Sequence, residues 1–145
     1  KSRGWIRLAD NNPGSAPLIN PCYLSDDDAL RILREGVKLA RRVFHTKAFA
    51  RAYGGDDLPA SDVVTDAQID ADIRQRAESI YHPVGTCRMG KDNLSVVDSR
   101  LRVRGLSALR VADASVMPLL ISGNTNAPTM MIGEKAAGFI LRDNS

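Results

Sequence analysis

The chain is poor in histidine and cysteine, with two of each, His45, His82, Cys22 and Cys87, among 145 residues. Two cysteines are too few for the disulfide framework of a small secreted scaffold. Two histidines far apart in the chain give no ligand set spaced like a zinc site, so no metal is expected. Aromatic residues are scarce as well, one tryptophan, three tyrosines and three phenylalanines, which argues against a nucleic-acid surface built on base stacking. Neither sign of charge dominates: 20 lysines and arginines are answered by 17 acidic residues, for a net charge of +3. Acidic residues scattered in that way weaken any attraction to a polyanion. The only basic stripe, Arg100, Arg102 and Arg104, alternates with Leu101 and Val103 and reads as the wet face of a half-buried strand. No apolar run approaches the roughly 20 residues that span a bilayer; the longest, near the C-terminus, is broken by Gly133, Glu134 and Lys135. Membrane association is not indicated, and a cytoplasmic location is expected.

What is present is the composition of an ordinary globular domain, 43% hydrophobic and 26% charged, with length enough for one core. The chain opens on Lys1 rather than methionine and is expected to be part of something longer. Its first residues, "SRGWIRLA", alternate as a strand does, and "DNNPGSAPLINPCY" then concentrates residues that favour a surface loop. From Ser25, "SDDDALRILREGVKLARRVFHTKAFARA" predicts a helix, acidic at its start and basic at its end, as the helix dipole favours. Leu30, Leu33, Val37, Ala40 and Phe44 form its apolar stripe, and His45 near its end needs no role beyond a favourable dipole contact. After the loop "AYGGDDLPASDVV", Thr65 and Gln68 form a capping box that opens a second helix, expected to run to about Tyr81. "SVVDSRLRVRG" and "ALRVADAS" predict two short strands. "NAPTMMIGEKAAGFILR" predicts a last helix, opened by capping residues and apolar on most sides, and therefore expected to be buried.

The densest local constraint is "YHPVGTCRMG", residues 81–90. A residue before proline is driven towards extended backbone and Gly85 permits a sharp turn, so His82 sits in a rigid loop. Taken alone, the loop is compatible with a catalytic base and with a hydrogen-bonded structural imidazole.

Three stretches taken together are more specific: "YHPVGTCRMG", "LRVADASVMP" and "SGNTNAPTMMIGEKAA". In this order, with "SRGWIRL" near the front, they resemble the C-terminal part of the glucose-methanol-choline (GMC) oxidoreductases, particularly the choline-dehydrogenase-like alcohol dehydrogenases. The resemblance covers nearly the whole chain. It implies an α+β fold, with a mostly antiparallel substrate-domain portion over residues 1–106 and a strand and helix over 107–145 that return to the FAD-binding domain. It also implies FAD as cofactor, a small-molecule alcohol as substrate, and the parent's own N-terminal FAD domain as partner. The chain has no G-x-G-x-x-G turn to cradle a pyrophosphate, so the isolated piece is expected neither to hold FAD nor to oxidise alcohols. Detached from that domain, residues 127–141 are expected to leave an apolar face exposed.

By the same resemblance His82 matches the family's base, which takes the alcohol proton while hydride moves to the flavin, and Asn126 matches the second active-site position. The chemistry agrees with those residue types. Imidazole titrates near neutral pH, and an amide can hold the substrate oxygen without competing for the proton. Asp113, with Ala114, matches the segment near the flavin's ribityl and phosphate groups; Asn126, Ala127, Pro128 and Thr129 match the first helical turn facing its pyrimidine edge. On residue type alone Asn126 is equally a helix cap, Asp113 a strand end, Met130 and Met131 core, and Cys87 a small buried hydrophobe beside the site. Cys22 in "NPCYLS" stands where relatives commonly have asparagine. The resemblance implies oxidation of a primary alcohol to an aldehyde; the alternatives are a non-redox flavoprotein lyase of the same fold and a non-catalytic folding or interaction domain.

Overall fold

The computed structural model describes residues 2–49, 52 and 60–143. The chain is α+β, with the order β1 (Trp5–Arg7), β2 (Leu18–Asn20), α1 (Asp27–Phe44), α2 (Asp66–Arg76), a 3₁₀ turn (Ala114–Val116) and α3 (Asn126–Asp143). It divides into two compact units, Lys1–Glu78 and Ser79–Ser145.

In the first unit β1 and β2 pair antiparallel, Trp5 opposite Asn20, Ile6 opposite Ile19 and Arg7 opposite Leu18. Between them the expected loop is pinned by its own side chains: Asp10 accepts from the Asn12 N–H, Asn12 from the Gly14 N–H, and Ser15 Oγ donates to Asp10. Glycine is required at position 4, because a Cβ there would stand 2.4 Å from the Asn20 carbonyl oxygen. Asp26 caps α1 by accepting from the Asp28 N–H, and the predicted capping box of Thr65 and Gln68 opens α2. The two helices share a small cluster of buried Leu30, Ile69 and Ile73. Charge stitches them together outside it: Arg34 reaches Asp70 at 2.6 Å and Lys38 reaches Asp66 at 2.7 Å. The Arg41 guanidinium donates to the carbonyls of Val63 and Ala60.

Both helices end earlier than their sequences predict. α1 stops at Phe44, where the Thr46 N–H and hydroxyl both take the Val43 carbonyl and turn the chain away; residues 50 and 51 of its expected extension, and 53–59 of the loop expected next, lie outside the described residues. α2 stops at Arg76 because Ala77 is extended. Of the stripe predicted on α1, Leu30 is buried and Val37 half-buried, whereas Leu33, Ala40 and Phe44 are exposed. A two-turn contact with α2 through Ile69 and Ile73 covers only one end of that stripe.

The second unit has the larger core: Val97, Leu101, Val116, Met117, Ile132 and Ala136 are buried together. The two strands expected over residues 95–105 and 108–115 do not form ladders. Among the described residues they make isolated bridges, Val97 with Val103 and Arg102 with Arg110. The cause is local. The Asp98 carboxylate takes the N–H groups of Arg100 and Arg102, and Leu101 is driven to a φ of 65°, which breaks the pleat. The in–out alternation survives without the strand, Leu101 buried and Arg102 and Arg104 exposed. Each arginine of the basic stripe has a partner: Arg102 pairs with Asp98, Arg104 donates to the Gly90 carbonyl, and Arg100 joins Arg110 on Asp143.

The last helix is less buried than its all-round apolar sequence predicts, and it leaves the apolar face exposed that is expected of residues 127–141 without the FAD domain. Only Ile132 and Ala136, one turn apart, are buried; Met130, Met131, Ile140 and Leu141 are exposed. The second unit offers α3 a single packing surface, and a helix apolar on most sides needs more than one.

Candidate functional site

The site is assembled in the second unit from the His82 loop, the 3₁₀ turn and the start of α3. The loop is docked by backbone hydrogen bonds, the Cys87 N–H to the Ser115 carbonyl at 3.0 Å and the Met89 N–H to the Val116 carbonyl at 2.8 Å. Gly85 makes the turn at a φ of +91°, a left-handed conformation that glycine adopts without steric penalty. Val116, fully buried, anchors the turn these bonds reach.

His82 is half-buried, and both ring nitrogens meet the segment leading into α3. Nδ1 lies 3.1 Å from Thr125 Oγ1, and Nε2 lies 3.3 Å from Asn124 Oδ1. Residues 124 and 125, rather than Asn126, are therefore the partners of the imidazole. Asn126 is exposed as the first residue of α3, with Ala127 exposed and Pro128 and Thr129 half-buried behind it. Thr125 is 8% exposed. Its carbonyl accepts from the Thr129 N–H at 3.0 Å and from the Thr129 hydroxyl at 2.6 Å, the position of a residue capping a helix.

Among the described residues, the N–H groups of Asn126 and Ala127 have no acceptor. They stand at the positive end of an 18-residue helix, a donor pair suited to an electron-rich or anionic edge. Asp113 is exposed, and its Oδ1 accepts from the Ser115 N–H at 2.7 Å, so it caps the 3₁₀ turn rather than ending a strand. Ala114 and Cys87 are half-buried on the same docked segments. Cys22 is a half-buried free thiol at a φ of 49° in the other unit. Among the described residues there is no group of three or more metal-ligating side chains, and no helix is long and apolar enough to cross a membrane.

The sequence predicts only that capping residues open the last helix, and Thr125 is one of them. The signal for more lay two residues past Asn126. A capping hydroxyl serves the N–H two or three positions into the helix; the third position here is Pro128, which has none. Only the Ala127 N–H is then left for the Thr125 hydroxyl to cap, and the hydroxyl lies against the imidazole instead. A concavity of ≈ 960 Å³ at the Arg102–Arg110 turn, bounded also by Ile140 and Asp143, does not include His82 in its walls. It belongs to the arginine–aspartate network and not to this site.

The family model of the GMC oxidoreductases matches residues 1–133. The chain is 54% identical to alcohol dehydrogenase [acceptor] of Pseudomonas putida over 98% of its own length and 26% of that protein's. It is 46% identical to the mitochondrial choline dehydrogenase of Mus musculus, over 96% of this chain and 24% of that one. Its fold superposes on the crystal structure of pyridoxine 4-oxidase from Mesorbium loti with a TM-score of 0.87 at 34% identity, covering 94% of this chain and 27% of that one. The chain thus spans about a quarter of the length of the curated relatives it matches. With the docked His82 loop, the matched sequence and the matched fold in agreement, the chain belongs to the GMC oxidoreductase family.

Proposed function

We propose that this chain is the C-terminal quarter of an FAD-dependent, choline-dehydrogenase-like alcohol oxidoreductase, and that it supplies the groups that take a primary alcohol to an aldehyde. The observation that supports this reading best is the fixed His82 ring, held at both nitrogens beside two open N–H donors of α3. FAD, bound by the parent's N-terminal domain, would supply the hydride acceptor. The α3 donor pair fits the electron-rich pyrimidine edge of such a cofactor, and Asp113 with Ala114 would lie towards its ribityl and phosphate groups. The pyrophosphate cradle lies outside this sequence, which has no G-x-G-x-x-G turn.

In this reading His82 Nε2 accepts the hydroxyl proton as the carbon-bound hydrogen leaves with its electron pair, so that R–CH₂–OH becomes R–CHO with one proton on the ring. A substrate hydroxyl reaching Nε2 takes the place of the exposed Asn124 amide. The Asn126 side chain holds the substrate oxygen and orients it towards the ring. Residues 107–145 return to the FAD domain, which covers the exposed Met130, Met131, Ile140 and Leu141 of α3.

The test is anaerobic stopped-flow reduction of the flavin in the full-length parent by primary alcohols, choline among them. His82→Ala should leave the flavin bound and slow its reduction at least ~10²-fold, the scale of a lost general base. The wild-type rate should rise with pH and that rise should vanish in the variant. A near-normal rate with an unchanged pH profile would reduce His82 to a turn residue.

A further inference from the structure

We infer that Thr125 is the positioning residue of His82, setting both the plane of the imidazole and the nitrogen that carries its proton. The inference rests on the proposed role of His82 and adds a residue to it. Four observations lead here. Thr125 Oγ1 is 3.1 Å from Nδ1. Thr125 is buried, at 8% exposure, whereas Asn124 on the other nitrogen is exposed and at 3.3 Å forms the longer contact. The Thr125 carbonyl is fixed twice by Thr129, so the backbone that carries the hydroxyl moves only with α3. And Pro128 at the third helical position removes one of the two N–H groups that the hydroxyl would otherwise cap.

A threonine hydroxyl can donate to Nδ1 or accept from it. A base that collects a proton at Nε2 must be free of one there, which places the proton on Nδ1, makes Thr125 Oγ1 its acceptor, and requires the Asn124 amide to present its NH₂ rather than Oδ1 to Nε2. The β-branched side chain has few rotamers, so the acceptor is presented in one direction. When the proton arrives at Nε2, the Nδ1–H to Oγ1 bond persists and the cation keeps its orientation. Residue 125 thus links the ring to the helix whose open end faces the reacting groups, so that proton acceptor and donor pair share one rigid element.

The experiment uses the full-length flavoprotein, wild type and with Thr125→Val, Thr125→Ser and His82→Ala, labelled with ¹⁵N at histidine. Valine keeps the shape and removes the hydroxyl; serine keeps the hydroxyl. The His82 signal, assigned by its loss in His82→Ala, should show a protonated Nδ1 in wild type and Thr125→Ser, and should move towards the Nε2–H form in Thr125→Val. Flavin content should be equal in all four, while flavin reduction slows about tenfold in Thr125→Val, the rate equivalent of one neutral hydrogen bond, and stays within about twofold of wild type in Thr125→Ser. Should Thr125→Val lose its flavin, Thr125→Ala removes the same hydroxyl without filling its place and is read in the same way. Identical ring-nitrogen signals in wild type and the hydroxyl-free variant overturn the inference. So does a normal rate in that variant when His82→Ala is inactive. A normal rate in His82→Ala instead overturns the base itself, and the nitrogen signals still decide whether Thr125 holds the ring.

Discussion

The two units of this chain are held by different means. In Lys1–Glu78 a cluster of three buried side chains, Leu30, Ile69 and Ile73, is supplemented by ion pairs between helices, and both strands are exposed along their length. In Ser79–Ser145 six buried side chains gather segments that form almost no regular structure between Ser79 and Thr125. The contrast teaches that regular secondary structure and firm placement are separable. The His82 loop has no helix or strand, yet two backbone bonds to the turn around fully buried Val116 fix it, and the chemistry proposed here sits on that irregular unit.

The sharpest way to break the comparison is to remove one core side chain from each unit. Ile69→Ala and Ile132→Ala should each cost about 2–5 kcal/mol. The first should open α1 and α2, which have little else buried, while amides around Val97 and Val116 stay protected; the second should leave the first unit protected. Residue-resolved hydrogen exchange reads this directly, and equal loss of protection in both units after either change would show that they fold as one. Next in size is Gly85→Ala. The added Cβ meets the Met117 carbonyl at an ordinary 3.4 Å, so the expected loss of about 1–2 kcal/mol comes from the left-handed backbone alone. A denaturant midpoint shift confined to the second unit would bear this out. Thr65→Ala should cost the first unit about 1 kcal/mol by breaking the capping box, seen as faster exchange in the first turn of α2 only.

The smallest effect is that of acid. The Lys38 ammonium holds Asp66 below its ordinary 3.8, and in the second unit the Arg88 guanidinium, with the Leu94 N–H, holds Asp92 far below the usual carboxylate range. A carboxylate lowered in the folded state adds stability above its unfolded value, and that contribution fades as pH falls through the lowered one. Lys38, raised chiefly by Asp66, adds stability that is lost only as pH rises above its ordinary 10.5. These groups are exposed, and exposed pairs contribute little. An acid titration below about pH 4 should therefore loosen each unit slightly, with Asp66→Asn flattening the response of the first and Asp92→Asn that of the second.

Features governed by local chemistry were legible in the sequence. The acidic opening of α1, the Thr65–Gln68 box, the helix after Asn124 and the constrained His82 loop all follow from residues within a few positions of one another. Where a nearby side chain competes for backbone groups, or where tertiary contacts decide, the sequence misled. The alternation around Leu101 and Val103 predicts strands, but the Asp98 side chain outcompeted the ladder for the N–H groups of Arg100 and Arg102. Thr46 shortened α1 in the same way. Within the site His82 was legible and its partners were not, because nothing local says that residues 43 positions apart will meet. Only the proline that leaves a capping hydroxyl one N–H fewer hinted at it.

Asp143, the last described residue of α3, is shared by Arg100 and Arg110, while Arg100 also lies over the Phe139 ring. One carboxylate thus masks two guanidinium groups that would otherwise colour the surface potential of the second unit. Asp143→Asn, by unmasking both, should turn that corner of the protein into a cation-rich patch and delay its elution from a heparin column at low salt, with the delay disappearing as ionic strength shortens the screening length. A family member whose C-terminal helix ended one residue sooner would carry the same patch, and with it a retention on polyanions unrelated to its chemistry.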